Sequence, residues 1–479
     1  MTVKKTRKLT RQGSRNTKII CTVGPSTASF QMLKKLYLSG MDVIRLNMSH
    51  ATHAEAKRVI GWVNTLNRQV EYPIAILLDT QGPEIRTGEL ENPIELTPGE
   101  EITLTVRDPD LVETRSIVVN YEKIVEVVEV GGVITLDNGL INFEVLSKDG
   151  RQLVCRVLDG GTLGSRKHVN LPGIRVDLPA ITLKDRADIQ LAIDHEVDFI
   201  ALSFVREASD VQELRHLLDA KKSVIKIVAK IEDQSGVDNI HEIVAAADGV
   251  MVARGDLGIE TNIADLPNVQ RRIVHASAVG GKRCIVATHL LESMIENPIP
   301  TRAEVTDVAN AVYEGVDAVM LSGETSVGQY PCRCVEQLVE ISTRAEKYLG
   351  LGYEKELVLK NDKEHVAVHA VALAESLKAR GIVVITRRGI MADYVTSARP
   401  HSVPVFAFTN NSKTRRRLAL NRSVYAYLSV FSKDSEKTLH NALNKLKKML
   451  GLESTDKVVV ISDVLADSPS DAIQIRSVG

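Results

Sequence analysis

The sequence predicts an α/β protein built on a (β/α)₈ TIM barrel, with a small β-barrel lid domain inserted into it and an α/β domain at its C-terminal end. Three observations predict this architecture: eight short apolar runs rich in Val and Ile, a regular spacing between them, and one long gap that has β-type alternation. The length agrees, since 479 residues correspond to about three domains of ordinary size.

Eight apolar runs supply the strands of the predicted barrel. Runs with little alternation of polar and apolar residues are typical of strands that are covered on both faces. The gaps between them, with one exception, have room for a loop and a helix, and helical spacing appears there, as at Leu33, Leu36 and Leu38. Eight such units favour a closed barrel, although the spacing alone also fits a doubly wound open sheet. The strands are expected at residues 17–23, 41–49, 72–80, 199–205, 224–231, 249–253, 283–288 and 318–322.

The one exceptional gap predicts the inserted lid. Asp137-Asn138-Gly139 and Asp149-Gly150 in this gap are signals for tight hairpin turns. Short strands flank these turns, which indicates antiparallel β-structure. The lid strands are expected at residues 102–106, 116–119, 133–136, 140–145 and 153–157.

A further set of strands, alternating with helices, predicts the C-terminal α/β domain. Its strands are expected at residues 382–386, 403–408, 424–428 and 458–461. The whole chain then divides into four parts. These are an N-terminal tail at 1–16, the barrel at 17–84 and 184–350, the lid at 85–183 and the C-terminal domain at 351–479.

Composition and charge argue against several classes of protein. Lys plus Arg is 60 and Asp plus Glu is 61, so the net charge of −1 provides no general attraction for nucleic acid or an anionic membrane. No apolar run approaches the roughly 18 residues of a membrane span. The 5 cysteines are too few for a disulfide framework, which favours a reducing compartment and a cytoplasmic location.

The start of the chain is basic, with no acidic residue before Asp42. Such a segment is either an organelle transit peptide or a short solvated tail. Its brevity and the lack of helical spacing favour the tail. The basic residues are Lys4, Lys5, Arg7, Lys8, Arg11 and Arg15.

Polar residues gather where the predicted barrel strands end. One of them alone would be an ordinary helix cap, but the carboxyl ends of barrel strands meet on one face and there form active sites. We therefore expect an enzyme site that handles an anion and a metal. In chain order the residues are Arg45, Asn47, Ser49, Asp79, Thr80, Ser203, Lys230, Glu232, Gly255, Asp256, Thr288 and Glu324.

The residue types at these strand ends indicate the chemistry. Glu232 and Asp256 are carboxylates on neighbouring strands without a nearby Cys or His, which favours Mg²⁺ or Mn²⁺ over Zn²⁺. Lys230 points to the same side of its strand as Glu232 and could stabilise a phosphoryl group or an enolate, although a structural Lys–Glu pair is the alternative. Gly255 allows a ligand to approach the backbone, and Arg45 suits a phosphate.

Seven stretches of the sequence resemble the pyruvate kinase family. They cover nearly the whole chain, and they are too long and specific to arise together by chance. The stretches are TKIICTVGPST (17–27), GMDVIRLNMSH (40–50), LLDTQGPEIRTG (77–88), VNLPGI (169–174), MVARGDLGIE (251–260), ESMIENPIPTRAEVTDVANAV (292–312) and DAVMLSGET (317–325).

The resemblance implies the reaction of phosphoenolpyruvate with ADP to give pyruvate and ATP, and it implies a role for each matched residue. Thr288, with a water molecule, is also a candidate proton donor to the enolate. By this resemblance Arg45 binds the substrate phosphoryl group, Lys230 stabilises the transition state, and Arg86 and Lys167 contact the nucleotide. The implied ligands of K⁺ are Asn47, Ser49, Asp79 and the Thr80 carbonyl, and those of Mg²⁺ are Glu232 and Asp256. The substrate carboxylate is implied to contact Gly255, Asp256 and Thr288.

The resemblance also implies a homotetramer and a regulatory C-terminal domain. The family's effector loop corresponds here to Thr386-Arg387-Arg388-Gly389-Ile390-Met391, which has two arginines and lacks the usual serines. We therefore expect fructose 1,6-bisphosphate to be a weak activator or none. Another phosphorylated effector would use the arginines, unless these are simply solvated charges.

Glu84 indicates whether the activity depends on a monovalent cation. In this family a Glu at that position accompanies dependence on K⁺, and a Lys accompanies independence. Two other functions remain open from the sequence. One is a metal-dependent aldolase or a related phosphoenolpyruvate or pyruvate enzyme on a similar barrel, and the other is a non-catalytic paralogue.

Overall fold

The first helices and strands of the described residues are three barrel strands and the two helices between them. The computed structural model describes residue 9 and residues 15–106, 116–137, 139–174, 176, 178–462 and 472–478. Helix α2 begins with a capping box, in which Thr52 and Glu55 each accept a hydrogen bond from the other's backbone amide. The elements are β1 Lys18–Thr22, α1 Phe30–Ser39, β2 Val43–Asn47, α2 His53–Asn67 and β3 Ala75–Asp79.

The lid follows β3. Its strands form one six-stranded sheet in the order β11-β7-β8-β9-β5-β6 and a two-stranded ribbon of β10 with β4. Asp137 and Gly139 have positive φ at the β7–β8 turn, as does Gly150 at the β8–β9 turn, which agrees with the predicted hairpins. Asn138 lies outside the described residues. The elements are β4 Ile94–Leu96, β5 Glu101–Thr105, β6 Ser116–Val118, α3 Ile124–Val127, β7 Val133–Leu136, β8 Ile141–Asp149, β9 Gln152–Asp159, β10 Gly161–Leu163 and β11 Val169–Asn170.

The second barrel segment supplies the remaining five barrel strands. Short 3₁₀ turns at Ile263–Asp265 and Glu292–Ile295 lie between its helices. The elements are α4 Leu183–Asp194, β12 Phe199–Leu202, α5 Ala208–Ala220, β13 Lys226–Ile231, α6 Gln234–Asp238, α7 Ile240–Ala246, β14 Gly249–Ala253, α8 Arg254–Glu260, α9 Leu266–Val279, β15 Arg283–Ala287, α10 Arg302–Tyr313, β16 Ala318–Leu321, α11 Gly323–Ser326 and α12 Pro331–Ala345.

The eight barrel strands form a closed parallel ring. Their order is β1-β16-β15-β14-β13-β12-β3-β2, and β1 closes the ring by pairing with β16, with Lys18 opposite Ala318. Strand β3 pairs directly with β12, so the lid interrupts the chain but not the sheet. The predicted closed barrel is confirmed, and the open-sheet alternative is excluded.

The C-terminal region forms its own α/β layer structure. Its sheet has the order β19-β18-β17-β20-β21. The last strand is antiparallel to β20 and was not predicted, because its residues alternate and Ile475 at this edge is half exposed. Two 3₁₀ turns lie at Tyr353–Glu356 and Leu418–Leu420. The elements are α13 Asp362–Ser376, β17 Ile382–Ile385, α14 Ile390–Ser397, β18 Val405–Thr409, α15 Ser412–Arg417, β19 Val424–Leu428, α16 Ser435–Leu450, β20 Lys457–Ser462 and β21 Ala472–Ser477.

Helix α15 packs against the amino ends of the barrel strands. Arg416 Nε lies 2.9 Å from Asp198 Oδ1, and the same carboxylate accepts the Ile76 backbone amide at 3.0 Å. Arg417 donates to the Val224 carbonyl at 2.9 Å. Burial raises the pKa of Asp198 to about 6 despite Arg416. The C-terminal region therefore contacts the barrel at the end opposite the predicted site.

Two local expectations are corrected. Arg15 is only 4% exposed and forms an ion pair with Asp42, and Leu9 pairs with Val70, so the solvated tail is wrong for Arg15 and Leu9. The other tail residues before Arg15 lie outside the described part of the chain. On α1 the buried face uses Tyr37 and not Leu38, which is 39% exposed. The exact domain limits stay predictions.

Candidate active site

A cavity of about 350 Å³ opens at the carboxyl ends of the barrel strands, beneath the lid. It brings together residues from the barrel and from the lid that are far apart in sequence. Asp79, Thr80, Gly255 and Thr288 do not line it, although sequence analysis placed them in the same site. The predicted residues that line it are Arg45, Asn47, Ser49, Arg86, Lys167, Lys230, Glu232 and Asp256.

Lys230 is at the centre of a buried charge network on the floor of this cavity. Its Nζ lies 2.9 Å from Asp79 Oδ1 and 3.0 Å from Glu232 Oε1. Arg45 Nε donates to Asp79 Oδ2 at 2.6 Å. Asp79 is fully buried, and Arg45 and Lys230 each pair with a different one of its two oxygens. The network fixes one guanidinium and one ammonium side by side at the mouth of the barrel.

The pKa shifts in this network follow from burial and neighbouring charge. Burial opposes ionisation of Asp79, but Lys230 and Arg45 outweigh it and keep the pKa of Asp79 below its ordinary value. Burial likewise opposes the charge on Lys230, but Asp79 and Glu232 raise its pKa above the ordinary value. Both groups are therefore ionised at neutral pH.

Glu232 and Asp256 form a carboxylate pair that fits a divalent cation. The pKa of Glu232 is raised to about 7, mainly by burial; the charge of Lys230 opposes this rise and the charge of Asp256 contributes to it. Burial also raises the pKa of Asp256. Glu232 is buried and Asp256 is half-buried, and the ionisation of both carboxylates is opposed. A hard divalent cation with oxygen ligands would stabilise their ionised forms. Among the described residues there is no group of three or more His, Cys, Asp and Glu side chains that could hold a metal ion.

The predicted K⁺ ligands lie around the ends of β2 and β3. Register pairs Asn47 with Asp79, and the Met48 amide donates to the Asp79 carbonyl at 2.9 Å. Asn47 and Ser49 face the cavity, whereas the Thr80 carbonyl accepts the Ser203 hydroxyl at 2.7 Å. The set supplies amide, hydroxyl, carboxylate and carbonyl oxygens, which is the chemistry that a weakly bound monovalent cation requires.

The lid side of the cavity carries the two predicted nucleotide contacts. Arg86 donates to Glu84 Oε2 at 2.6 Å, and Gln81 Nε2 donates to the same oxygen at 3.0 Å. Lys167 Nζ donates to Asp137 Oδ1 at 2.9 Å. Both cations are about one-third exposed, so they are held in place by carboxylates yet remain accessible from the cavity.

Thr288 and Gly255 contact each other beside the cavity. The Gly255 amide donates to Thr288 Oγ1 at 2.7 Å, and that hydroxyl donates to the Ala287 carbonyl at 2.6 Å. Thr288 and His289 have left-handed backbone angles, φ 65° and 53°. Arg254 donates to the Thr288 carbonyl at 2.6 Å and pairs with Asp307 at 2.7 Å, which stabilises this strained turn.

Sequence reasoning missed several residues that shape the site. Arg254 was seen only as part of a motif. The sequence places Ser203 at the expected site only as a polar strand end, and it does not indicate Phe204, whose amide donates to Glu232 Oε2 at 2.6 Å. His168, whose pKa is lowered by burial, also lines the cavity. The polar end of β12 was the available signal for Ser203, but nothing in the sequence showed its partner.

Known proteins and family models match this chain over nearly its full length. Residues 14–335 match the family "Pyruvate kinase, barrel domain", and residues 364–475 match "Pyruvate kinase, alpha/beta domain". Plastidial pyruvate kinase 2 of Arabidopsis thaliana is 42% identical over 474 residues, which are 97% of this chain and 81% of that protein. Pyruvate kinase of Geobacillus stearothermophilus is 42% identical over 461 residues, 94% of this chain and 78% of that protein.

A solved structure shows the same fold. The crystal structure of a pyruvate kinase from Cryptosporidium parvum superposes with a TM-score of 0.91 at 35% identity, covering 97% of this chain and 96% of that chain. No helix among the described residues is long and apolar enough to cross a membrane.

A barrel enzyme with a lidded, charged cavity for an anionic substrate is the class that this fold and site define. The matches to family models and relatives show which family of barrel enzymes this is. The chain belongs to the pyruvate kinase family, and it is a phosphotransferase. The resemblance drawn from the motifs is thereby confirmed, and the aldolase and non-catalytic alternatives are rejected.

Proposed function

We propose that this chain transfers the phosphoryl group of phosphoenolpyruvate to ADP, giving pyruvate and ATP, in the cavity between barrel and lid. The observation that carries the proposal is the buried network of Arg45, Asp79, Lys230 and Glu232 on the cavity floor. Phosphoryl transfer depends on charge neutralisation and positioning more than on a covalent nucleophile, and this network supplies fixed positive charge in a protected site.

The residues of the chain would divide the reaction between them. Arg45, held by Asp79, binds the phosphoryl oxygens of phosphoenolpyruvate. Lys230 stabilises the negative charge that spreads over the phosphoryl group while the bond to the enolate oxygen breaks. The enolate then takes a proton at its methylene carbon, and Thr288 with a water molecule is the proposed source.

Two kinds of cation fit the donor sets described above. Glu232 and Asp256 would hold Mg²⁺ or Mn²⁺, while Asn47, Ser49, Asp79 and the Thr80 carbonyl would hold K⁺. Bound there, these ions would supply positive charge beside the phosphoryl and enolate oxygens. The oxygen-only ligands and the raised pKa values of the carboxylate pair support this assignment.

The lid residues are proposed to bind the nucleotide. Arg86 and Lys167 face the cavity from the lid side and carry positive charge toward the place where the phosphates of ADP would lie. Each is held by a carboxylate, Glu84 and Asp137 respectively, which limits its motion. The lid can then exclude water and hold ADP in line with the phosphoryl group.

A phosphorylated effector is proposed to bind at the C-terminal domain. A cavity of about 270 Å³ lies between this domain and the amino ends of barrel strands β12 to β15. Arg388 lines it, whereas its neighbour Arg387 is exposed outside it. Arg388 is one of six basic residues in the lining, Lys360 among them, and three carboxylates also lie there. A ligand here would contact strands whose other ends hold Lys230, Glu232 and Thr288, which is the basis for regulation.

A homotetramer and a cytoplasmic location are further proposals that rest on the family resemblance and on the composition. The decisive experiment for the reaction is a coupled assay of the purified chain, in which pyruvate formed from phosphoenolpyruvate and ADP is reduced by lactate dehydrogenase with NADH. Activity should require both substrates and a divalent cation. Absence of pyruvate formation by folded protein under these conditions would reject the proposed function.

A further inference from the structure

Ser203 lies directly beyond the end of β12 and is 1% exposed. Register pairs Leu202 of β12 with Ala229 of β13, so the next residues along the two strands, Ser203 and Lys230, are neighbours. Lys230 Nζ donates to Ser203 Oγ at 2.8 Å. The contact therefore follows from the barrel register and places a neutral hydroxyl against the ammonium.

The direction of the Ser203 hydroxyl is fixed. Its single proton is donated to the Thr80 carbonyl at 2.7 Å, so its lone pairs face Lys230. The Ser203 backbone amide donates to Thr80 Oγ1 at 3.1 Å, which holds the same pair of residues by a second bond. Ser203 is therefore an oriented acceptor that cannot turn away without breaking a buried hydrogen bond.

The three contacts of the ammonium differ in charge. Asp79 and Glu232 are carboxylates at 2.9 and 3.0 Å, and both also belong to the proposed cation sites. Each carboxylate offsets part of the positive charge that Lys230 presents to the substrate, and each would turn toward a bound cation. Ser203 holds the ammonium without neutralising it, because its hydroxyl is uncharged.

We infer that Ser203 is a positioning residue for phosphoryl transfer, which orients the Lys230 ammonium toward the substrate and links it to the Thr80 carbonyl. The inference rests on the proposed role of Lys230. It requires that loss of the hydroxyl affect turnover more than substrate binding, because the proposed charge stabilisation acts mainly in the transition state.

The test compares Ser203→Ala with the parent enzyme in the coupled assay. We expect kcat to fall about tenfold to a hundredfold, the loss typical when a charged donor loses an acceptor, while KM for phosphoenolpyruvate stays within about twofold. Ser203→Cys, which keeps a weak donor and acceptor of similar size, should recover part of kcat. Ser203→Thr is unsuitable as a conservative variant, because Gly82 packs closely against Ser203. A Cβ atom added at Gly82 would lie only 2.7 Å from Ser203 Cβ, so there is little space for the extra methyl group of a threonine.

Ser277→Ala is the matched control. Ser277 is also fully buried, and its hydroxyl donates to the Ile273 carbonyl at 2.7 Å, but it lies on α9 away from the cavity. Its variant should keep kcat and KM within about twofold of the parent. This separates the loss of a buried serine hydroxyl from the loss of this particular contact.

A double variant distinguishes positioning from general damage. In a Lys230→Met background, Ser203→Ala should cause little further loss of kcat, because its effect passes through the ammonium. The inference is overturned if Ser203→Ala keeps kcat within about twofold of the parent, or if the two losses are additive. If Lys230→Met itself keeps normal activity, the proposed role of Lys230 fails instead.

Discussion

Asn170 of the lid donates its side-chain amide to Glu260 Oε1 of the barrel at 2.6 Å. Asn170 is 2% exposed, and Glu260 ends helix α8, which begins beside the proposed metal ligand Asp256. The pKa of Glu260 is raised to about 7, mainly by burial; the Asn170 hydrogen bond opposes this rise, and the charges of Asp233 and Asp256 contribute to it. The contact joining lid and barrel therefore includes a carboxyl group that titrates near neutral pH.

Glu260→Gln should change how stability depends on pH. In the unfolded chain a Glu has a pKa of about 4.3, so between that value and about 7 the folded parent binds more protons than the unfolded chain. The stability of the parent should then fall, relative to the variant, as pH rises through this window. We expect a relative loss on the order of 2 kcal/mol between pH 5 and pH 8, measured by urea unfolding. Identical pH dependence in parent and variant would contradict the prediction.

Lys230→Met should lower kcat by roughly three orders of magnitude or more with little change in KM for phosphoenolpyruvate, because the ammonium acts on charge that develops in the transition state. Steady-state kinetics of the coupled reaction measure both. Lys18→Met is the control: this buried lysine lies on β1 and donates to the Val424 carbonyl at 2.7 Å, at the opposite end of the barrel. A Lys230→Met enzyme within tenfold of the parent would show that the ammonium is not needed.

Replacing K⁺ by a bulky organic cation at constant ionic strength should abolish most activity. Glu84 is a carboxylate held by Arg86 and Gln81, so no tethered ammonium is present at this position to substitute for the ion. Glu84→Lys should restore part of the rate that is lost when K⁺ is replaced. Glu84→Gln, which only removes the negative charge, should restore much less of that rate. Initial rates with and without K⁺ measure the effect. Full parent activity without K⁺ would refute the proposed ion site.

Arg388→Ala should abolish activation by any phosphorylated effector, whereas Arg387→Ala should not. The reason is that, of these two neighbouring arginines, Arg388 lines the cavity against the barrel and Arg387 does not. The measurement is the shift in KM for phosphoenolpyruvate caused by a panel of sugar phosphates, with unliganded kinetics as the baseline. Fructose 1,6-bisphosphate should be weak or inactive in this panel. Strong activation by micromolar fructose 1,6-bisphosphate, or equal effects of the two variants, would contradict the prediction.

Much of the fold was predictable because buried parallel strands require continuous apolar runs. All eight barrel strands lie within the predicted segments, and the predicted lid hairpins join β7, β8 and β9. The edge strand Ala472–Ser477 was not predictable in the same way. It is antiparallel and partly exposed, so its alternating residues differ little from those of a surface loop.

The sequence by itself determined which residue types stand at the strand ends, and through its motifs it determined the family. Only the tertiary structure decided which of them touch. It placed Lys230 between Asp79, Glu232 and Ser203, it set Thr288 beside the cavity on a turn stabilised by Arg254, and it buried Arg15. The physical reason is that these contacts depend on strand register, ring closure and backbone angles at the strand ends. Those quantities arise from packing between segments up to hundreds of residues apart, and no local pattern of residues encodes them.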